Sequence, residues 1–207
     1  MAKKTTHAIM VLDRSGSMEM CRDATIDGYN EQLNALKGAD GKVSVTLLQF
    51  DSNAGPTIEV QYEKAKVSEA PKLTKETYVP RGGTPMLDAV GKAIAIGDAD
   101  AKSDSILVMI CSDGQENSSV EHTWASIAAL IKDRQEKGNW TFAYIGANQD
   151  LSDISKRTNI PLGNTLAYAA TDAGTRAAYT SRSASTIAFA GSAKVATEDF
   201  FNKEGGS

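Results

Sequence analysis

With 207 residues, 41% of them hydrophobic and 23% charged, the chain has the composition of an ordinary globular protein that can bury a core, and it is neither collagen-like nor wholly disordered. A formal net charge of −4 and a pI near 5.3 argue against an electrostatic grip on nucleic acid, which needs a clustered basic face, and Lys3-Lys4 and Lys64/Lys66 are too sparse to supply one. No stretch approaches the roughly 20 apolar residues of a membrane span, and the apolar run after Lys3-Lys4 stops at Asp13, too short for a signal peptide. The expectation is a cytoplasmic protein with one domain over residues 1–207, its core over about 7–180 and a tail over about 181–207 left unassigned.

Ala8 to Leu12 is a continuous apolar run that breaks into Asp13, Arg14, Ser15, Gly16 and Ser17. That is how a buried parallel strand delivers polar side chains to the loop at its C-terminal end. Ile26, Tyr29, Leu33 and Leu36 recur with helical spacing and predict a helix from about Asp23 to Lys37, ended by Gly38 and Ala39-Asp40-Gly41. Val43 to Phe50 reads as a second buried strand. After the turn cluster Asp51–Pro56, Thr57 to Tyr62 alternates as a third strand returning antiparallel at the sheet edge. Residues 64–83, charged and interrupted by proline, read as a surface excursion. Thr84 and Pro85 then read as the N-cap and first position of a helix with Leu87, Val90 and Ile94 on its buried stripe. Asp88, inside that helix, reads as a solvated carboxylate in preference to an acceptor beside a site.

Ser105 to Cys111 is the most apolar strand of the chain, and it ends on Ser112-Asp113-Gly114 much as the first ends on Asp13. Cys111, inside this run, reads as a core thiol rather than half of a disulfide with Cys21, the only other cysteine. Ser118-Ser119-Val120-Glu121 has the capping-box form, ahead of a helix marked by Trp124, Ile127, Ala128 and Ile131 and running to Gly138. Trp140–Ile145 predicts a strand, Asp150–Thr158 a short helix, Leu166–Ala169 a last strand, and Thr171 onward through Tyr179 a helix. The Ser/Thr/Ala-rich stretch Thr180–Ser192 fits no element, and Gly205-Gly206-Ser207 reads as a frayed terminus. The alternation predicts a three-layer α/β fold: a mainly parallel sheet, one antiparallel edge strand, and helices on both faces. In the strand order 3-2-1-4-5-6, the strands ending at Asp13 and Asp113 lie side by side where the winding reverses, the place where open α/β sheets form a binding crevice.

Asp13, Ser15 and Ser17 stand at alternate positions, so one turning backbone can present three hard oxygens together. Such a donor set suits Mg²⁺ or Mn²⁺ rather than zinc. The same residues also suit a plain polar turn whose serines satisfy backbone amides, and taken alone they leave both readings open. His7 and His122 have no partner at metal-ligand spacing, so neither is a candidate ligand or catalytic base. Glu116 and Asn117, with Asp51 and Asn53, are candidates for a ligand-facing rim.

Asp13-Arg14-Ser15-Gly16-Ser17-Met18 has the D-x-S-G-S form of the metal-ion-dependent adhesion site of the von Willebrand factor A (VWA) domain family, and Gly82-Gly83-Thr84-Pro85 and Ser112-Asp113-Gly114 follow in that family's order. The chain resembles this family over roughly residues 7–170. The resemblance implies a Rossmann-like VWA fold with Ser15 and Ser17 as direct metal ligands and Asp13 binding directly or through water. Thr84 and Asp113 would exchange direct and water-mediated contact. The implied metal is Mg²⁺, with Mn²⁺ or Ca²⁺ as alternatives, its shell completed by an Asp or Glu carboxylate of a protein partner. Arg14 would add positive potential at the rim or, as the favoured reading, be a solvated side chain.

The expected function is a non-catalytic, metal-dependent protein-binding module: a prokaryotic or phage adaptor or assembly protein, virion-associated if phage-encoded. Its partner would be an AAA+ ATPase or a phage or host protein. Cell-surface adhesion is demoted because neither adhesin repeats nor an export signal is seen. The alternative is a Mg²⁺-dependent phosphoryl-transfer enzyme, in which a strand-end Asp is the nucleophile. Phosphatases of that kind carry D-x-D, however, and here Ser15 takes the second position. No phosphate-binding glycine motif follows a strand either.

Overall fold

The first strand, β1 (Thr5–Asp13), is buried along nearly its whole length, and it reads as an uninterrupted apolar run because helices cover both of its faces. Ala8, Met10 and Leu12 belong to one core cluster and Ile9 and Val11 to another, the period of two expected of a strand between two layers. A computed structural model describes residues 4–38, 42–113, 115–147, 149–169 and 171–201. Lys3, Ala39-Asp40-Gly41, Gly114 and Gly205-Gly206-Ser207 lie outside the described residues.

A 3₁₀ turn, Gly16–Cys21, leads from β1 into helix α1 (Arg22–Leu36). Strands β2 (Lys42–Ser52) and β3 (Pro56–Lys66) form the antiparallel edge, followed by α2 (Met86–Asp98), β4 (Ser105–Ser112), α3 (Trp124–Glu136), β5 (Trp140–Ala147), α4 (Leu151–Thr158), β6 (Thr165–Tyr168) and α5 (Asp172–Gly191). The six strands run β3-β2-β1-β4-β5-β6, every pair parallel except β2 with β3. The expected mixed sheet and strand order are both observed. Helices α1 and α5 pack with the Ala8/Met10/Leu12 face, while α2, α3 and α4 cover the Ile9/Val11 face. Cys21 and Cys111 are both free and buried.

Three segments depart from the sequence reading. First, residues 64–83 are not a plain surface excursion: β3 continues to Lys66, and Val67, Leu73 and Tyr78 are then buried in the core. Second, α3 is capped by Thr123, whose hydroxyl accepts from Ser126 N–H while the Ser126 hydroxyl accepts from Thr123 N–H. The Ser118–Glu121 capping box is therefore not the one used. Third, Thr180–Ser192 is helical almost throughout as part of α5, whose hydroxyls bond back into their own helix: Thr180 to Arg176 O, Ser183 to Tyr179 O and Thr186 to Arg182 O.

Under α5, Arg182 is 1% exposed, with its guanidinium 4.0 Å from the Tyr179 ring centroid and its Nε and Nη2 lacking any hydrogen-bond partner among the described residues. A buried cation so incompletely paired costs stability. Arg182→Met, keeping the apolar bulk, is expected to stabilise the fold by about 1–3 kcal/mol in urea titrations.

At the N-terminal end of the sheet, His7 lies between Asp100 (Nδ1 to Oδ2, 2.8 Å) and the Thr46 hydroxyl (Nε2 to Oγ1, 2.7 Å). All three side chains are buried, so this triad-like array serves the core and is closed to substrate. Burial lowers the His7 pKa from 6.5 against the opposing pull of Asp100. A histidine depressed on folding adds stability above its ordinary pKa and loses it as the pH falls through the folded value. Between about pH 7.5 and pH 5.5 Asp13, raised to about 6, contributes with the opposite sign, so the His7 part is read as a difference: acidification is expected to lower the thermal midpoint of the wild type relative to that of His7→Gln.

Candidate metal centre

The register that sets Leu12 of β1 beside Cys111 of β4 brings Asp13 next to Ser112 at the C-terminal ends of the two central strands. Asp13 is fully buried; its Oδ1 accepts from Ser15 N–H at 2.6 Å, and its Oδ2 accepts from the Ser112 hydroxyl at 2.5 Å. From there the oxygens form a chain. Ser15 Oγ lies 3.1 Å from Ser17 Oγ, and the Ser17 hydroxyl donates to Asp113 Oδ1 at 2.7 Å. Two carboxylates and two hydroxyls thus converge on one crevice, with Tyr78 below them donating to the carbonyl oxygen of Asp13 at 2.6 Å.

The glycine pair is joined to this loop by main-chain bonds, Gly16 N–H to Gly82 O at 3.0 Å and Arg81 N–H to Arg14 O at 2.8 Å. Gly82 has φ +63°, and a Cβ there would stand 2.2 Å from Ser52 O, so only glycine fits the crossing without strain. Thr84 follows, 2% exposed. It is not the N-cap: α2 begins at Met86 after Pro85, with no side-chain cap on the Pro85 position. Its first amides are satisfied from the β4–α3 loop instead, Leu87 N–H by Glu116 Oε2 (2.9 Å) and Asp88 N–H by Ser119 Oγ (3.2 Å). The Thr84 hydroxyl is thereby released from the capping duty expected of it.

Among the described residues, Asp113 and Asp13 have no basic neighbour to balance them. Burial is the main cause raising both, pushing Asp13 up to about 6, with the Asp113 charge adding to the effect at Asp13 and the hydroxyl contacts opposing it. Arg14 does not help, and here the structure corrects the rim reading. Arg14 is neither solvated nor at the rim. It is 5% exposed and turned away, paired with the fully buried Asp51, with Glu59 (2.9 Å) and with Gln49 Oε1 (3.2 Å). Arg81 joins the same cluster, Nε to Asp51 Oδ2 at 3.2 Å. Asp51 is thus taken out of the rim as well, while Asn53 stays exposed.

Glu116 is not free to face a ligand either: its two oxygens accept from Ser118 N–H, Ser119 N–H, the Ser119 hydroxyl and Leu87 N–H. Asn117 is exposed and clamps Thr84, its Oδ1 accepting from Thr84 N–H (2.9 Å) and its own N–H donating to Thr84 O (3.2 Å). Asp88, expected to be solvated, is 3% exposed and accepts the main-chain N–H groups of Val120, Glu121 and His122. The sequence reading missed Tyr78, gave Ser112 no role beyond its place in the Ser112-Asp113-Gly114 motif, and passed over the acceptor role it had weighed for Asp88. Tyr78 carried no local signal, since it reaches Asp13 from 65 residues away.

Among the described residues no three His, Cys, Asp or Glu side chains assemble into a metal-binding group. The donors gathered here are carboxylate and hydroxyl oxygens, a set that fits a hard divalent cation, and the unbalanced burial of Asp13 is what such a cation would relieve.

No protein-family model matches the chain, and no curated protein matches it. Among solved structures, the pilus adhesin SpaC of Lactobacillus rhamnosus GG, in its open conformation, superposes with a TM-score of 0.69 at 15% identity, over 91% of this chain and 30% of that one. A von Willebrand factor type A protein from Catenulispora acidiphila gives 0.57 at 16% identity, over 90% and 43%. The manganese-loaded TRAP protein of Plasmodium vivax gives 0.55 at 17% identity, over 84% and 72%. The chain spans less than half the length of the first two. The shared feature is the fold, which is VWA-like.

Proposed function

We propose that this chain is a divalent-metal-dependent protein-binding module. Asp13, Ser15, Ser17, Thr84 and Asp113 would hold Mg²⁺, or Mn²⁺ or Ca²⁺ in its place. The observation that carries this reading is the fully buried Asp13 carboxylate, linked through Ser15 and Ser17 to Asp113 with no basic group paired to either acid among the described residues. The TRAP protein of Plasmodium vivax, similar in fold, is manganese-loaded, which supports a divalent metal here as well.

When bound, the ion would supply a Lewis-acidic position for an external carboxylate. The chain's own residues do the rest. Ser112 and the Ser15 amide orient Asp13, the Tyr78 hydroxyl anchors its main chain, and Asn117 holds the Thr84 segment through both its amide and its side chain. With hydroxyls supplying much of the donor set, a cation keeps charge for an Asp or Glu of the partner. Ser15 stands where a D-x-D phosphoryl-transfer site would carry its second aspartate, which favours a ligand role for Asp13 over a nucleophile role. An adaptor or assembly role, with an AAA+ ATPase or a phage or host protein as partner, remains part of this proposal. Among the described residues no helix is long and apolar enough to cross a membrane.

Calorimetric titration with Mn²⁺ tests the reading. One saturable site is expected. Ser112→Ala, which removes the donor that orients Asp13 without removing a proposed ligand, should weaken it about 10–100-fold. Absence of any saturable site in the wild-type chain would rule the proposal out.

A further inference from the structure

Beside the metal centre, at the C-terminal ends of β4 and β5, lies a groove of about 300 Å³. Glu116 on the loop after Asp113 and Met86 just beyond Thr84 both line it, so it opens on the same rim. Trp124 and Tyr144 are its aromatic lining, and Asp150 and Asp153 at the start of α4 line it as well. The Arg157 guanidinium already lies over the Trp124 ring, 3.9 Å from its centroid, and reaches Asp153 at 3.5 Å. That ion pair is about half exposed on both sides and is therefore weak and easily exchanged.

We propose that this groove receives a lysine or arginine side chain of the partner whose carboxylate reaches the metal centre. The inference rests on the metal-centred reading and adds a chemical specification to it: the recognised segment pairs an acidic with a basic residue. Charge complementarity selects the occupant. Asp150 and Asp153 present carboxylates to solvent, the Glu116 oxygens are occupied by four donors from its own loop and from α2, and the indole face has the geometry for a cation, as Arg157 demonstrates. An incoming guanidinium would displace Arg157 from the ring or stack beside it, bridging to the two aspartates.

The groove can be tested apart from the metal. N-acetyl-arginine amide, which has no carboxylate, is titrated into the full chain in EDTA while the indole N–H signals of Trp124 and Trp140 are followed by NMR. Those are the only two tryptophans, and Trp140 is buried in the core as an internal control. The expected result is a saturable shift at Trp124 alone, at least tenfold weaker in Asp150→Asn/Asp153→Asn and tighter in Arg157→Gln. Asparagine retains the N-cap that Asp150 provides to Ser152 and Asp153. No saturable shift at Trp124, an unchanged curve in the double variant, or an equal response to the neutral citrulline analogue would overturn the proposal. A parallel calorimetric Mn²⁺ titration of the same proteins, exchanged out of EDTA, reports on the metal centre separately, so failure of one reading does not pass for failure of the other.

Discussion

Asp13→Asn is expected to abolish Mn²⁺ binding while making the metal-free protein more stable. In the absence of a cation the fold holds a fully buried carboxylate beside a second acid, and it obtains only hydrogen bonds in return. Asparagine has nearly the same shape, keeps an oxygen for the Ser15 amide, and can offer its own N–H to Ser112. Removing the unpaired charge should therefore gain on the order of 2 kcal/mol in EDTA at neutral pH. Metal reverses the ranking. At about 100 times its dissociation constant, a cation that binds only the folded wild type adds about 2.7 kcal/mol, and the variant receives nothing. Thermal unfolding of both proteins with and without Mn²⁺ reads this crossover directly. A variant less stable than wild type in EDTA would show that Asp13 serves the fold rather than a cation.

Gly82→Ala is expected to damage the site through the backbone. The added Cβ would meet Ser52 O at 2.2 Å and Ser52 C at 2.5 Å, and these main-chain atoms cannot swing aside as a flexible side chain can. The φ of +63° adds the left-handed penalty of any residue with a Cβ. The combined cost should be about 2–4 kcal/mol. Because Gly82 O holds the Gly16 amide, relief by movement of the loop would shift the Gly82–Thr84 segment relative to the turn that carries Ser15 and Ser17. Urea unfolding should show the loss of stability, and calorimetry should show Mn²⁺ affinity falling with it. Gly191→Ala, at the end of α5, offers a contrast, since the Cβ there has nothing within 4 Å and the backbone is not in the positive-φ region.

The sheet could be read from the chain because its central strands are buried on both sides: β1 and β4 appear as continuous apolar runs, the first ending on Asp13 and the second on Ser112, just before Asp113. The strand order then brings Asp13 and Asp113 together. What escaped the sequence depends on partners distant along the chain. Arg14 looks like a rim residue until the β1–β2 register, Asp13 beside Phe50, places Asp51 within its reach, with Glu59 on the next strand. Thr84-Pro85 has the form of a helix start, but Glu116 and Ser119 deliver the caps from about thirty residues away. Asp88 looks solvated within its own helix, and only the tertiary fold brings three main-chain amides to it. In α5, hydroxyls that bond to their own helix disguise a packed element as a polar tail.

The measurement that bears most directly on the central claim is a quantitative pull-down from the source organism's lysate under three conditions: wild type in Mg²⁺, wild type in EDTA, and folded Asp13→Asn in Mg²⁺. Capture of a protein through a metal-held carboxylate requires that it be retained in the first and lost in both others. The same protein retained equally in all three would contradict the account and move the binding surface away from the Asp13 crevice.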